Sequence, residues 1–250
     1  MSRGKAWTRE ELILAINLYC RTPFGRIHVR NPEIIELAKT LGRTPGSISY
    51  KLANFASIDP SLPRKGAANV SKLDIEVWNE FFNDWEKLIF KSEQMVFDYK
   101  IREPDGVDFH WQQVQGINKS IQYKARVNQS FFRRMILSSY NNSCCITGLA
   151  VPELLIASHI IPWSMNEKNR MNPRNGLCLN ALHDMAFDKG FISISVDYRV
   201  MISDNLKQSV SQSTSFDFFL KFEDKKIEMP SRFIPDNEFL DFHRKNIFLN

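Results

Sequence analysis

CCITGLAVPELLIASHIIPWSMNEKNRMNPRNGLCLNALHDMAFDKGFISI, residues 144–194, places His159, Asn175, His183, Asp184 and Asp188 within thirty residues and holds two of the chain's five histidines. Leu154–Ile160 is an apolar run that closes on a histidine, and the run predicts a strand. Pro162 ends it, and MNEKNRMNPRN, rich in Asn, reads as a loop. GLCLN, Gly176–Asn180, predicts a second short strand, and ALHDMAFDKG predicts a helix closed by Gly190. Asp184 and Asp188 are four apart, so they share one helix face. The order is strand, loop, strand, helix, with a histidine on the first strand, an asparagine opening the second and carboxylates on the helix.

Four blocks in this order resemble the HNH nucleases of the ββα-metal type, in a restriction-endonuclease-like branch. They are Cys145-Ile146-Thr147-Gly148, Ala157–Trp163, Asn175–Leu179 and His183–Gly190. The resemblance extends upstream to Arg126-Val127-Asn128-Gln129 with Phe132-Arg133, and downstream to Pro235–Phe248, covering roughly residues 95–250. It implies that His159 is the general base and that Asn175 orients it and ties the loop. It also implies that the helix supplies ligands for one divalent cation. Asp184 and Asp188 stand where many HNH enzymes carry two helix histidines, and His183, one position off that register, is a third candidate ligand. Hard oxygen donors of this kind suit Mg²⁺ or Mn²⁺.

The chemistry accounts for these residue types. Phosphodiester hydrolysis needs an activated water, charge stabilisation on the phosphate and help for the leaving oxygen. A histidine supplies the first, and a divalent cation the other two. One departure stands out: many HNH proteins carry an acid or histidine just before the base, and here that residue is Ser158. Cys144, Cys145 and Cys178 do not form paired CxxC knuckles, so no structural zinc is expected. Each residue also has a plainer reading. A lone histidine in an apolar strand is first a core residue, an Asn before Gly is first a turn, and Asp188 beside Lys189-Gly190 also suits a helix end.

The length allows one large domain or two small ones. The 250 residues are 43% hydrophobic, with 19 Phe and 5 Trp, enough to bury real cores. Residues 1–65 hold eleven Lys/Arg against five Asp/Glu, a balance of +6, while the remaining 185 residues sum to −1. A basic segment ahead of a near-neutral body points to a polyanion partner. There is no apolar run long enough to span a membrane. MSRGKAWTREE lacks the apolar core of a signal peptide. Four cysteines, two adjacent, do not make a disulfide framework. A cytoplasmic protein is therefore expected, and the resemblance to restriction-type nucleases implies a bacterial one.

Within the basic segment, Thr8 and Glu11 form a predicted capping box, and Leu12, Ile13, Ile16 and Tyr19 mark one apolar face. Pro32 opens a second helix that Gly42 stops, and Thr44 caps a third with Pro45 at its first position. IIELAKTLGRTPGSISYKLANF resembles a helix-turn-helix whose second helix enters the major groove. Its outward candidates for DNA contact are Arg43, Ser47, Ser49, Tyr50, Lys51 and Asn54; a plain three-helix packing domain is the other reading. Residues 57–71 read as a hinge. Lys72–Ser92 predicts one strut helix with Ile75, Trp78, Phe82, Trp85 and Ile89 inward.

Residues 103–113 read as a loop, with His110 structural. Ser130–Tyr140 predicts a helix, where Arg133 reads equally as a phosphate contact and as a packing residue. Residues 192–203 predict a hairpin extending the nuclease sheet, residues 208–217 a polar loop, and the C-terminal stretch a helix with His243 structural.

These expectations combine into an α+β chain. Residues 1–92 are the basic helical domain of helix-turn-helix type and residues 93–250 the ββα-metal nuclease domain, with its core at 144–194. The implied function is a restriction-type, metal-dependent endonuclease on double-stranded DNA, with dependence on DNA modification left open and a homodimer as one arrangement that would cut both strands. A non-catalytic DNA-binding regulator on a nuclease-derived scaffold is the alternative from another class, and an RNA-directed nuclease a third.

Overall fold

In the computed structural model, which describes residues 5–62, 67, 69–82, 84–101, 117–209 and 217–249, the chain divides into two compact units, residues 1–131 and 132–250. The loop expected at 103–113, with His110, lies outside the described residues, as does most of the polar stretch at 208–217. No helix among the described residues is long and apolar enough to cross a membrane.

The first unit is built around α1 (Arg9–Arg21), every residue of which from Glu11 to Cys20 is buried. The capping box is present: the Glu11 N–H donates to the Thr8 hydroxyl, and the Thr8 N–H donates to the Glu11 carboxylate. Around it pack α2 (Pro32–Leu41), α3 (Pro45–Ile58), α4 (Lys72–Phe82) and α5 (Trp85–Ile101). Gly42, at φ 60°, makes the left-handed turn between α2 and α3, and Thr44 caps α3 by accepting from the Ser47 N–H. Tyr19, Phe55, Trp78, Phe82 and Trp85 form one aromatic cluster.

Two expectations for this unit are corrected. The single strut helix is two helices, because Asp84 starts a new one by accepting from the Lys87 N–H. Arg43, Lys51 and Asn54 also do not point outward. Lys51 lies one turn after buried Ile48 and one turn before buried Phe55, so its stem enters the core. There its ammonium donates to both oxygens of Asp74, each at 2.8 Å. Arg43 pairs with Glu11 at 2.6 Å, donates to the carbonyls of Lys5 and Ala6, and lies over the Trp7 ring. Asn54 is 2% exposed. The periodicity placed these residues beside the apolar stripe, and acids far off in sequence draw two of them in. Tyr50 remains exposed, with Ser47 and Ser49 half-buried.

In the second unit, the end of α6 (Ile117–Ser139) packs on an antiparallel hairpin of β1 (Leu155–His159) and β2 (Gly176–Asn180). The register runs from Leu155 opposite Asn180 to His159 opposite Gly176. Between the strands, a loop winds through two short 3₁₀ turns, Glu167–Asn169 and Pro173–Asn175. α7 (Ala181–Asp188) follows β2 directly and packs across both strands, with Asn180 as its cap. β3 (Ile192–Ile194) and β4 (Val200–Ile202) then form a hairpin, and α8 (Asp204–Ser209) and α9 (Asn237–Asn246) complete the unit.

The β3–β4 hairpin does not extend the β1–β2 sheet, as the sequence suggested; it is a separate two-stranded sheet. The chain turns at Gly190, at φ 75°, and carries β3 onto α9 and α7 instead. His243 of α9 is structural, as expected. It stacks on Phe187 at 3.7 Å, donates from Nε2 to the Phe187 carbonyl and accepts at Nδ1 from the Ser193 hydroxyl.

Gly190 also fixes the C-terminal segment. A Cβ there would lie 2.0 Å from the Ile247 carbonyl oxygen, and the Leu249 N–H donates to the Gly190 carbonyl. Gly190→Ala combines that backbone clash with a left-handed conformation, so a loss of at least about 3 kcal/mol is expected. A denaturant midpoint close to the wild-type value would contradict this.

Candidate active site

His159 ends β1 and is held on three sides. Its ring lies flat on Phe132 of α6, with centroids 4.1 Å apart and planes 8° from parallel. The Trp163 ring meets it edge-on at 5.5 Å and 86°. Nε2 lies 2.9 Å from the carbonyl oxygen of Arg170. A carbonyl only accepts, so Nε2 carries the ring proton and Nδ1 keeps a free lone pair. Burial pushes the imidazole below its ordinary pKa, and the Arg170 carbonyl opposes this more weakly. The ring is therefore neutral near pH 7, with Nδ1 as its basic atom.

Asn175 makes its side-chain hydrogen bonds to backbone groups of the loop and not to the His159 ring. Its side chain, 1% exposed, clamps the loop that carries Arg170. Oδ1 accepts from the Ile161 N–H at 2.8 Å, and Nδ2 donates to the carbonyls of Ile161 at 3.1 Å and Asn169 at 3.2 Å. The neighbouring Arg170 carbonyl is thereby placed against His159. The Arg170 side chain donates from Nε to the Trp163 carbonyl, bracing the same loop. Asn175 thus ties the loop and reaches the histidine through a backbone carbonyl.

The carboxylates of α7 divide from its histidine. Asp184 is half-buried and Asp188 is exposed. Partial loss of hydration against the helix surface raises the pKa of both, and the Asp184 charge raises Asp188 further, as expected for like charges one turn apart. Ser158, 2% exposed and with no hydrogen-bond partner for its hydroxyl among the described residues, lies near enough to Asp184 to favour its ionised form.

His183 makes different contacts from the two carboxylates. Adjacent helix positions diverge by about 100°, and His183 packs against Phe219 and Phe222 while Nδ1 meets Asn180 Oδ1 at 3.0 Å. Burial holds its pKa down at about 4. It borders an apolar cleft of about 590 Å³ with Phe218 and Phe222.

Among the described residues, no group of three or more His, Cys, Asp or Glu is placed to hold a metal ion. The donor set still fits one class of cation. Mg²⁺ is commonly bound through one or two carboxylates, with waters and substrate phosphates completing its shell. The oxygen donors Asp184 and Asp188 on one helix face match that pattern.

The Arg133 guanidinium donates to the carbonyls of Leu155, the first residue of β1, and of Pro152 just before it. Cys144, Cys145 and Cys178 are buried free thiols; burial pushes Cys145 well above the ordinary thiol range and Cys178 up to about 12. Sequence reasoning did not assign Arg170, Trp163 or the packing role of Phe132. Arg170 acts through a backbone carbonyl, which any residue type supplies. Phe132 was visible only as part of an upstream block.

A comparison with curated proteins gave no match. Residues 144–195 match the family model for HNH endonuclease, and that segment spans β1, the clamped loop, β2 and α7 in full. The C-terminal part of this α+β chain therefore carries an HNH endonuclease domain, with His159, Asn175 and the α7 carboxylates inside it.

Proposed function

We propose that the chain is a metal-dependent endonuclease that hydrolyses phosphodiester bonds in double-stranded DNA, with His159 as general base. The observation that carries this reading is the hydrogen bond from His159 Nε2 to the Arg170 carbonyl. It leaves Nδ1 unprotonated, in a ring kept neutral by burial. Nδ1 accepts a proton from the water that attacks phosphorus, and Asn175 holds the loop that keeps Nδ1 turned outward. Asp184 and Asp188 would hold the cation, Mg²⁺ or Mn²⁺, which when bound neutralises charge on the scissile phosphate and the leaving oxygen.

The first unit supplies DNA binding in this reading. The charge of +6 over residues 1–65 favours a phosphate backbone. The α2–Gly42–α3 turn supports a helix-turn-helix arrangement in which α3 presents Ser47, Ser49 and Tyr50. Arg43, Lys51 and Asn54 leave the contact set because their side chains are engaged or buried inside the unit. A restriction role, modification dependence and a homodimer that cuts both strands extend the same proposal. Matched methylated and unmethylated plasmids test the modification clause, and equal cutting removes it.

Ser158 favours a second reading, a non-catalytic DNA-binding regulator on a nuclease-derived scaffold, because no carboxylate precedes the base. Metal binding separates the two. The double variant Asp184→Asn, Asp188→Asn is expected to bind Mn²⁺ about tenfold or more weakly, the loss of one or two charge-assisted contacts. It should be no less stable without metal, because a like-charge pair is removed. Calorimetric Mn²⁺ titration reads this directly, and unchanged affinity would place the cation elsewhere.

A further inference from the structure

We propose that Phe132 is a positioning residue of this site: its ring is the bed that fixes the His159 imidazole, and Gly176 is the gap that admits that ring. The inference rests on the reading of His159 as the base.

Pointing Nδ1 at a water requires both side-chain torsions of His159 to be set. The Arg170 carbonyl fixes the direction of Nε2. A single hydrogen bond still lets the ring rock about its axis. The Phe132 face, 8° from parallel at 4.1 Å, removes that freedom, and the Trp163 edge closes the side. The bed is itself fixed. Phe132 is 2% exposed, and its neighbour Arg133 ties α6 to the segment that enters β1 through the Leu155 and Pro152 carbonyls.

Gly176 is the cross-strand partner of His159. Its φ of −138° is open to any residue, so the backbone does not demand glycine. Space does: a Cβ there would lie 2.5 Å from Ile136 Cδ1 and 2.9 Å from Phe132 Cζ. The adjacent Asn175 and Gly176 therefore have complementary tasks. The asparagine clamps the loop that fixes one edge of the imidazole, and the glycine lets in the ring that supports its face.

The test uses the full chain carrying Phe132→Leu, with Phe132→Met as a second variant that fills similar volume without a flat face. Val200→Ala, a buried position on β4, serves as a control for general loosening. Two readouts are taken on variants that remain folded by circular dichroism: kcat and KM for plasmid nicking across pH, and the titration of ¹³C-labelled His159 by NMR. The expected result is a fall in kcat of about tenfold or more with KM unchanged. The acid limb of the rate profile and the NMR titration should move together to higher pH, because the ring loses its apolar cover; the control moves neither. A folded Leu or Met variant with wild-type kcat and an unmoved His159 titration would overturn the proposal. If the wild type cuts no DNA, the functional reading fails separately, and the NMR titration still decides the role of Phe132.

Discussion

His159→Ala is expected to lower the rate of DNA cleavage by about 10²–10⁴-fold, the range general-base catalysis contributes, while DNA affinity stays near the wild-type value. Among the described residues, His159 combines a base-form nitrogen, a buried setting and a place in the segment that matches the nuclease family. Asn175 acts one step removed, through the loop and the Arg170 carbonyl. Asn175→Ala should therefore weaken catalysis by disordering the loop, with a loss of stability that His159→Ala does not share. Gel-shift affinity measured beside single-turnover cleavage separates the effects. A His159→Ala protein that cuts at the wild-type rate would remove this residue from the chemistry.

The second large effect is loss of stability in mild acid. His183 and His243 are both almost fully buried, and burial holds both near pKa 4. Their ordinary value is about 6.5. Above pH 6.5, both are neutral whether folded or unfolded and add no pH dependence. Between about 6.5 and 4, the unfolded chain binds protons that the folded one refuses, so stability falls as pH falls. The loss is about 2 kcal/mol for each histidine by pH 5 and about 3 kcal/mol by pH 4. Against a total stability of about 5–15 kcal/mol, that is a large share.

His159, lowered for the same reason, adds to the trend. The raised carboxyls of Asp184 and Asp188 act in the opposite sense, but in a window that begins at their ordinary value of about 3.8 and extends upward. Denaturant midpoints at pH 7.5, 6, 5 and 4.5 should fall steadily, with a shallower slope in a His243→Gln variant that still folds. A flat profile from 7.5 to 5 would mean that these imidazoles reach solvent.

The strand–loop–strand–helix order was legible because each element carries its own local signal. Pro162, the Asn-rich loop, Gly176 and Gly190 punctuate the segment, and the strands and α7 fall where those residues put them. The caps of the first unit were equally local: Thr8 with Glu11, Gly42, and Thr44 with Pro45. What sequence did not disclose depended on distant partners. Lys51 reads as an outward cation until Asp74, on another helix, is seen beneath it. The packing of His183 against Phe219 and Phe222 was equally hidden, because those rings lie more than thirty residues further along the chain. The Lys72–Ser92 pattern ran through the break at Asp84 because the apolar spacing continues across it. Phe132 beneath His159 has no local signature, because only the folded packing of α6 on the hairpin brings the two together.

The central claim is that the site built on His159 hydrolyses DNA with a divalent cation. Its most direct test is the conversion of supercoiled plasmid to nicked and linear forms by the wild-type protein in Mg²⁺, in Mn²⁺ and in EDTA, with His159→Ala alongside. The account predicts cleavage in the metal-containing reactions, none in EDTA, and almost none with His159→Ala. Tight plasmid binding with no strand broken under any of these conditions would contradict it and leave the regulator reading in its place.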